Sequence, residues 1–320
     1  MQRPIAVLTS MLLLAGAGSS IPAQQETPRI DVVFLLDATG SMGDEIAVIK
    51  EKMREMISDI ALGEPSPDVR FGIVAYRDRG DEYVTRRYPL TRDIDQTVQD
   101  LRDIEAAGGG DYPESLNEGL HAALHDMAWD GAQGAVHLVF LIADAPPHMD
   151  YVQDFDYRNE ADFAGREGIV VHAIGASGLD EKGEEVLRHV AATTQGAFQW
   201  LGYESRYVAE DGEEVIVRVE GRDVVYTKGD STWEAGDGPP PDVLGDGAMR
   251  TRGGPEAEDT TVDAAGAGGP AVDVTTSTNL EDLITSAIKA AAEDTGVNYD
   301  GPPSAVEATS WGRVKALISR

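Results

Sequence analysis

Apolar segments of strand length alternate with amphipathic segments of helix length along most of the chain. The first apolar segment is "IDVVFLLD", residues 30–37, and from Ile46 to Ile60 apolar residues then recur every three or four positions, as in a helix. Later apolar segments of the same kind are "DVRFGIVAYRD", "AVHLVFLIAD" and "GIVVHAIGA". Buried strands separated by helices are typical of a parallel sheet covered on both faces. The pattern therefore predicts a doubly wound α/β domain.

The alternation also predicts the organisation of the chain. Residues 29–203 form the α/β domain, and the apolar stripe of a helix at 276–296 requires a sheet to cover it, so we assign that helix to the same domain. Residues 204–275 contain a hairpin at 213–227 and then a flexible segment rich in Gly, Pro and acids, which buries too little apolar surface to order itself. We interpret residues 204–275 as an insertion. A C-terminal tail, 297–320, contains a short basic amphipathic helix.

Residues 1–23 have the layout of a cleavable signal peptide. They contain one Arg, an apolar run from Ile5 to Ala15 and a cleavage position after Ala23. Since the run is short for a bilayer span, we expect a secreted or periplasmic protein without stable membrane insertion after cleavage, with a signal anchor as the alternative. The chain has no Cys, so the exported fold must be stable without disulfides.

Charge limits the partners of this protein. The formal net charge of the 320 residues is −31, which repels nucleic acid and anionic lipid surfaces and leaves cations as plausible partners. A hydrophobic content of 42% with 26% charged residues is that of a globular protein. Solubility, or adaptation to a salty exterior, explains the negative charge equally well, so charge alone does not define a function.

Candidate chemistry begins in "FLLDATGSMGDE", residues 34–45. Alternate side chains of an extended loop point the same way, so Asp37, Thr39 and Ser41 can converge at the carboxyl end of the first strand, where open parallel sheets bind ligands. Asp111 in "GGGDYPE" and Asp144 at the end of "VFLIAD" fall at comparable places. An all-oxygen set without His or Cys suits Mg²⁺, Mn²⁺ or Ca²⁺ rather than zinc.

Two hydrolase interpretations of this segment fail. An aspartic protease needs a second Asp-Thr/Ser-Gly turn and a strand-rich chain, and neither is present. A serine hydrolase elbow needs Gly two residues before Ser41, where the chain has Thr39.

Three segments in order, "DVVFLLDATGSM", "GGGDYPE" and "VFLIADAPPH", resemble the metal-ion-dependent adhesion site of von Willebrand factor type A domains, of the kind found in secreted bacterial proteins. The family's Asp-x-Ser/Thr-x-Ser is matched by Asp37, Thr39 and Ser41, and the Asp that closes its site is matched by Asp144. Asp111 stands where many members have a metal-binding Thr. The resemblance implies a Rossmann-like, mostly parallel sheet that binds a divalent cation, with Mg²⁺ the first expectation. Through that cation it implies binding to an acidic side chain of a protein partner.

Asp111 has a second interpretation, as an N-cap of a helix that starts near Pro113. If it binds the ion, three carboxylates rather than two offset the ion's charge, and adhesion through the metal is expected to be weaker. His148, just beyond this site, is expected to be a surface loop residue.

The alternative function is a haloacid-dehalogenase-type phosphatase or phosphotransferase in which Asp37 is the nucleophile and a later Gly-Asp-x-x-x-x-Asp holds Mg²⁺. Gly236, Asp237 and Asp242 satisfy that spacing. The preceding "KGDSTWEA" is not the hydrophobic strand that such an acidic pair should follow, and Thr39 replaces the second acid of the usual Asp-x-Asp. We therefore expect a binding module rather than an enzyme, and the complete set of site oxygens disfavours a module that binds no metal.

Overall fold

The computed structural model describes residues 29–60, 67–132, 134–208, 212–234 and 274–298. The signal peptide, most of the acidic segment and the predicted basic helix of the tail lie outside these residues. The helices of the described chain are α1 (Gly43–Ile60), α2 (Ile94–Arg102), α3 (Leu116–His125), α4 (Tyr157–Glu167), α5 (Glu181–Thr193) and α6 (Leu280–Asp294). None of these helices combines the length and the apolar content needed to cross a membrane.

The first sheet has six strands: β1 (Arg29–Asp37), β2 (Asp68–Tyr76), β3 (Thr85–Thr91), β4 (Val136–Ala143), β5 (Ile169–Gly175) and β6 (Phe198–Trp200). Their order in the sheet is β3-β2-β1-β4-β5-β6. β1 lies at the centre and pairs in parallel with β2 and β4. β5 and β6 continue the parallel arrangement beyond β4, and β3 is antiparallel to β2. The predicted mostly parallel α/β fold is confirmed.

Side chains of β1 alternate between two cores, as the period of a strand requires. Val32 and Phe34 lie in a hydrophobic cluster with residues of α1 and α6 on one face of the sheet. Val33 and Leu35 lie in a second cluster with residues of α3, α4 and α5 on the other face. Because both faces are covered, β1 is buried from Ile30 to Asp37. The carboxyl ends of β1 and β4 flank the point where the strand order reverses, which is where such sheets bind ligands.

A second, antiparallel sheet has five strands: β7 (Gly202–Val208), β8 (Glu214–Glu220), β9 (Asp223–Lys228), β10 (Ser231–Glu234) and β11 (Val274–Thr278). Their order in the sheet is β10-β9-β8-β7-β11. The sequence predicted only the hairpin of β8 and β9. Apolar residues of this hairpin, among them Val215, Val219 and Tyr226, join the cluster that contains α1 and α6, and β7 and β10 pair with its two strands, so the hairpin is part of a larger packed layer. The boundaries of the predicted insertion stay a prediction.

Candidate metal centre

The loop after β1 brings the predicted hydroxyl groups to the carboxylate of Asp37. Both the backbone N–H and the Oγ1 hydroxyl of Thr39 donate to Oδ1 of Asp37, at 2.9 and 2.7 Å. The Ser41 hydroxyl lies 3.3 Å from Oγ1 of Thr39. Asp37 is fully buried, and within the described residues its Oδ2 has no hydrogen-bond partner. This oxygen is therefore available to a ligand at the end of β1.

Three consecutive glycines bring a second loop against the first. Gly108, Gly109 and Gly110 have φ values of 75°, 97° and 56°, which residues with a Cβ rarely adopt. A Cβ on Gly109 would lie 2.7 Å from Oε1 of Glu114 and 3.1 Å from Cβ of Thr39. Backbone hydrogen bonds from Gly40 to Gly108 and from Ala107 to Ala38 join the loops. The glycine run therefore allows Glu114 and Thr39 to lie side by side.

Asp144 enters the site from the end of β4. It follows the last residue of that strand and is 5% exposed. The loop after it is joined to the Glu114 segment by two backbone hydrogen bonds, from Glu114 N to the Pro146 carbonyl (3.0 Å) and from His148 N to the Glu114 carbonyl (2.9 Å). Three loops, after β1, before α3 and after β4, thus surround one position at the switch point of the sheet.

The buried carboxylates of these loops repel one another. Burial raises the pKa of Asp37 to about 6, against the hydrogen bonds from Thr39 and the nearby Tyr76 hydroxyl, which lower it. Burial, followed by the charges of Asp37, Asp78 and Asp144, raises the pKa of Glu114 to about 11. Oε2 of Glu114, like Oδ2 of Asp37, has no hydrogen-bond partner among the described residues. A divalent cation supplies the positive charge that this arrangement requires, and its oxygen-only donors fit such an ion.

Asp111 lies in a neighbouring group of side chains. Its carboxylate is 72% exposed, and its Oδ2 lies 3.9 Å from Nε2 of His148, which is 3.7 Å from Oδ2 of Asp78. The N-cap interpretation of Asp111 is wrong, because α3 begins at Leu116 and its N-cap position is Ser115. The role of Asp111 as a metal ligand stays a prediction.

Two buried acids near the site were not predicted from the sequence, and the environment of one histidine was predicted wrongly. Glu114 and Asp78 are each 4% exposed. Glu114 stands in the same "GGGDYPE" as Asp111, and Asp78 follows the end of β2, so position at a strand end was a usable signal. Asp78 accepts hydrogen bonds from Ser115 Oγ and Tyr151 OH. His148 is not a surface residue: it is 4% exposed and stacks on Tyr151 at a ring-centroid distance of 4.0 Å.

Comparison with known proteins identifies the family of this chain. The family model of the von Willebrand factor type A domain matches residues 31–209, and the chain belongs to that family. It is similar to the human von Willebrand factor A domain-containing protein 7, with 38% identity over 98 residues, which cover 31% of this chain and 10% of the relative. It is also similar to an alpha-protein kinase of Dictyostelium discoideum, with 30% identity over 122 residues, 37% of this chain and 19% of the kinase. The chain thus spans between a tenth and a fifth of the length of these relatives.

Among solved structures, the chain is similar to proximal thread matrix protein 1 from the mussel byssus, in a form with a zinc-occupied MIDAS motif. MIDAS is the abbreviation for the metal-ion-dependent adhesion site. The TM-score is 0.43 at 17% identity, and the match covers 54% of this chain and 42% of the mussel protein.

Proposed function

We propose that this domain is an exported adhesion module rather than an enzyme. It holds a divalent cation, with Mg²⁺ preferred over Mn²⁺ and Ca²⁺, on Asp37, Thr39, Ser41 and Asp144, with Asp111 as a further ligand. The ion accepts a carboxylate from a protein partner. The observation that carries the proposal is the buried Oδ2 of Asp37, which has no hydrogen-bond partner among the described residues and lies beside other acids.

Charge balance supports reversible rather than tight binding of an outside acid. Asp37 and Asp144 are the buried carboxylates of the proposed ligand set, and together they offset the two charges of the ion. Asp111, which is 72% exposed, is a further ligand that adds a third negative charge. The ion then keeps only weak attraction for the partner's carboxylate, which is consistent with reversible, moderate binding.

Export rests on the signal-like residues 1–23, which lie outside the described part of the chain. An extracellular or periplasmic location supplies millimolar Mg²⁺ or Ca²⁺, and a site of this kind needs no cofactor beyond the ion.

Cation binding is tested with two substitutions that separate the binding module from the phosphatase. We expect Asp144→Ala to abolish the stabilisation of the fold by Mg²⁺ in thermal unfolding, because it removes a site carboxylate. Asp237→Ala, which removes the acid that the phosphatase alternative needs, should leave that stabilisation unchanged. Neither the unsubstituted chain nor the variants should hydrolyse a phosphate ester with Mg²⁺. Hydrolysis that Asp237→Ala destroys and Asp144→Ala spares would establish the phosphatase instead.

Partner binding is tested with short peptides of random sequence displayed on phage. Selection with Mg²⁺ should enrich peptides containing Asp or Glu, and EDTA should release them. Replacing the selected Asp by Asn should remove binding, as should Asp144→Ala in the protein. Selected peptides that bind equally well in EDTA would contradict capture through the ion.

A further inference from the structure

A second group of metal-ligating side chains lies between α3 and α4, and it shares no residue with the site at Asp37. His121 and His125 are four residues apart on α3, so they lie on the same side of that helix. Glu160 lies on α4. Nδ1 of His121 is 3.1 Å from Oε1 of Glu160, and Nε2 of His125 is 2.7 Å from Oε2. Each imidazole thus lies within hydrogen-bond distance of a different oxygen of the Glu160 carboxylate.

The group combines a buried acid with partly accessible imidazoles. The side chain of Glu160 is 9% exposed, whereas those of His121 and His125 are 27% and 30% exposed. A carboxylate this buried requires positively charged or hydrogen-bonding partners. The exposed side of the imidazoles leaves a path by which an ion from solvent can reach the donor atoms.

Four stacked aromatic rings fix the orientation of the imidazoles. Phe155 stacks on His121 with a centroid distance of 3.6 Å, His121 on His125 at 4.3 Å, and His125 on Phe163 at 4.0 Å. The planes of the rings are inclined by 6° between Phe155 and His121, by 24° between His121 and His125, and by 29° between His125 and Phe163. Rings held in this way lose little freedom when they bind a ligand, which favours binding.

We propose that His121, His125 and Glu160 form a second metal site, for a divalent transition metal such as Zn²⁺. One ligand atom from each of the three residues lies within 4.8 Å of the others. Two imidazoles with one carboxylate suit Zn²⁺, Ni²⁺ or Cu²⁺, whereas Mg²⁺ and Ca²⁺ prefer oxygen. Three protein ligands leave a coordination position for water. The bound metal would connect α3 to α4 in place of the direct hydrogen bonds, and the chain would hold two ions of different chemistry.

The proposal goes beyond the adhesion function and does not depend on it, because no residue is common to the two sites. Zinc also binds carboxylate oxygens, so the oxygen site must be removed before the second site is measured. We therefore place the test in a full chain that carries Asp37→Asn.

Zn²⁺ titration calorimetry of the Asp37→Asn chain should show zinc bound at His121, His125 and Glu160. A second group that could hold zinc, Asp78, Asp111 and His148, is left unchanged by the substitutions that follow. Adding His125→Gln or Glu160→Gln should weaken zinc binding by at least about tenfold, since even residues that only support a ligand cost that much when changed. The matched control is His189→Gln, which changes an exposed histidine on α5 that contacts the Tyr157 ring edge-on. It should leave the affinity unchanged. In NMR spectra of the unsubstituted chain, zinc should shift the imidazole signals of His121 and His125 and not those of His189.

Absence of zinc binding by the Asp37→Asn chain would overturn the proposal, and so would binding that neither His125→Gln nor Glu160→Gln weakens. Circular dichroism of each variant in EDTA verifies that it is folded. If a variant does not fold, the imidazole shifts of the unsubstituted chain decide the question on their own: shifts at His121 and His125 support the site, and their absence refutes it.

Discussion

Strand β1 carries a buried aspartate near each end, and the two are satisfied in different ways. Asp31, 2% exposed, accepts hydrogen bonds from Nε and Nη2 of Arg70 at 2.7 and 2.6 Å and from the backbone N of Asp130 at 2.7 Å. Asp37, fully buried, accepts both hydrogen bonds from Thr39 on one oxygen, while the other oxygen has no such partner within the described chain.

The two residues are both aspartates, lie on the same strand and are nearly equally buried, so burial does not distinguish a structural acid from a functional one. The charge of the neighbouring side chains distinguishes them. The protein supplies a guanidinium to Asp31 and surrounds Asp37 with further acids. A buried carboxylate without an internal cation is costly, and a fold that keeps one is expected to obtain positive charge from a ligand.

The largest effect on stability should come from breaking the ion pair between Arg70 and the buried Asp31. Arg70→Leu leaves Asp31 buried and unpaired, and we expect a loss of about 3 kcal/mol in the free energy of unfolding, measured with urea. The matched control is Arg92→Leu, because Arg92 also makes two hydrogen bonds to one carboxylate, that of Asp68, but is 61% exposed. That surface pair should contribute far less to the free energy of unfolding, because water and salt screen it. Equal losses in the two variants would remove the distinction between the buried pair and the surface pair.

Mg²⁺ bound at Asp37, at the other end of β1, should raise the free energy of unfolding by slightly less than the Arg70–Asp31 pair does. At a hundredfold excess over its Kd, Mg²⁺ should add about 2.7 kcal/mol, because it binds only the folded loops. This corresponds to a rise in Tm of roughly 5–10 °C. The Arg70→Leu variant should gain the same amount, since the two aspartates are about 20 Å apart along the strand and distant sites add. A melt unchanged by Mg²⁺ and by chelator would contradict the metal site.

The smallest effect concerns pH. The raised pKa of folded Asp37, about 6 against an ordinary value of 3.8, means that the cation-free folded protein holds a proton between these pH values that the unfolded chain lacks. The cation-free protein therefore becomes less stable as pH rises from 3.8 to about 6, and bound Mg²⁺ offsets this decrease. The stabilisation by Mg²⁺ should accordingly shrink as pH falls from 7 to 4.

The control for the pH experiment is Asp37→Asn, for which the melting temperatures with and without Mg²⁺ should stay equal across this range. A Mg²⁺ effect in the unsubstituted chain that is constant from pH 7 to 4 would show that Asp37 does not exchange its proton for the ion.

Strand-end residues were the part of the site that sequence could predict. Asp37 ends β1 and Asp144 directly follows β4, so the rule that parallel sheets bind ligands at the carboxyl ends of their strands places both. The expected extended loop stops at Thr39, because Ser41 lies in a short 3-10 helix, Gly40–Met42, and its hydroxyl lies near that of Thr39 from there. Glu114 could not be placed in this way. Its position depends on the hydrogen bonds that join it to Pro146 and His148, which connect loops distant in sequence.

The second sheet was only partly predictable for a related reason. β8 and β9 form a local hairpin with alternating burial, a pattern visible in sequence. β11 pairs with β7 across the long acidic segment, and neither strand has a strong apolar pattern of its own. Whether two distant segments with little apolar alternation pair as strands depends on how the whole sheet packs against its neighbours. A short stretch of sequence does not show that packing.

The packing of α6 has a consequence for how the protein is made. α6 comes from the last part of the described chain, yet Ile284 and Ile288 share a hydrophobic cluster with Ile49 and Met53 of α1 from the first part. During synthesis the core on that face of the central sheet stays incomplete until residues 280–294 have left the ribosome. Contacts between such distant segments also slow folding. Until then, the apolar residues of α1 that α6 covers stay exposed on the nascent chain, and we expect them to engage holding chaperones.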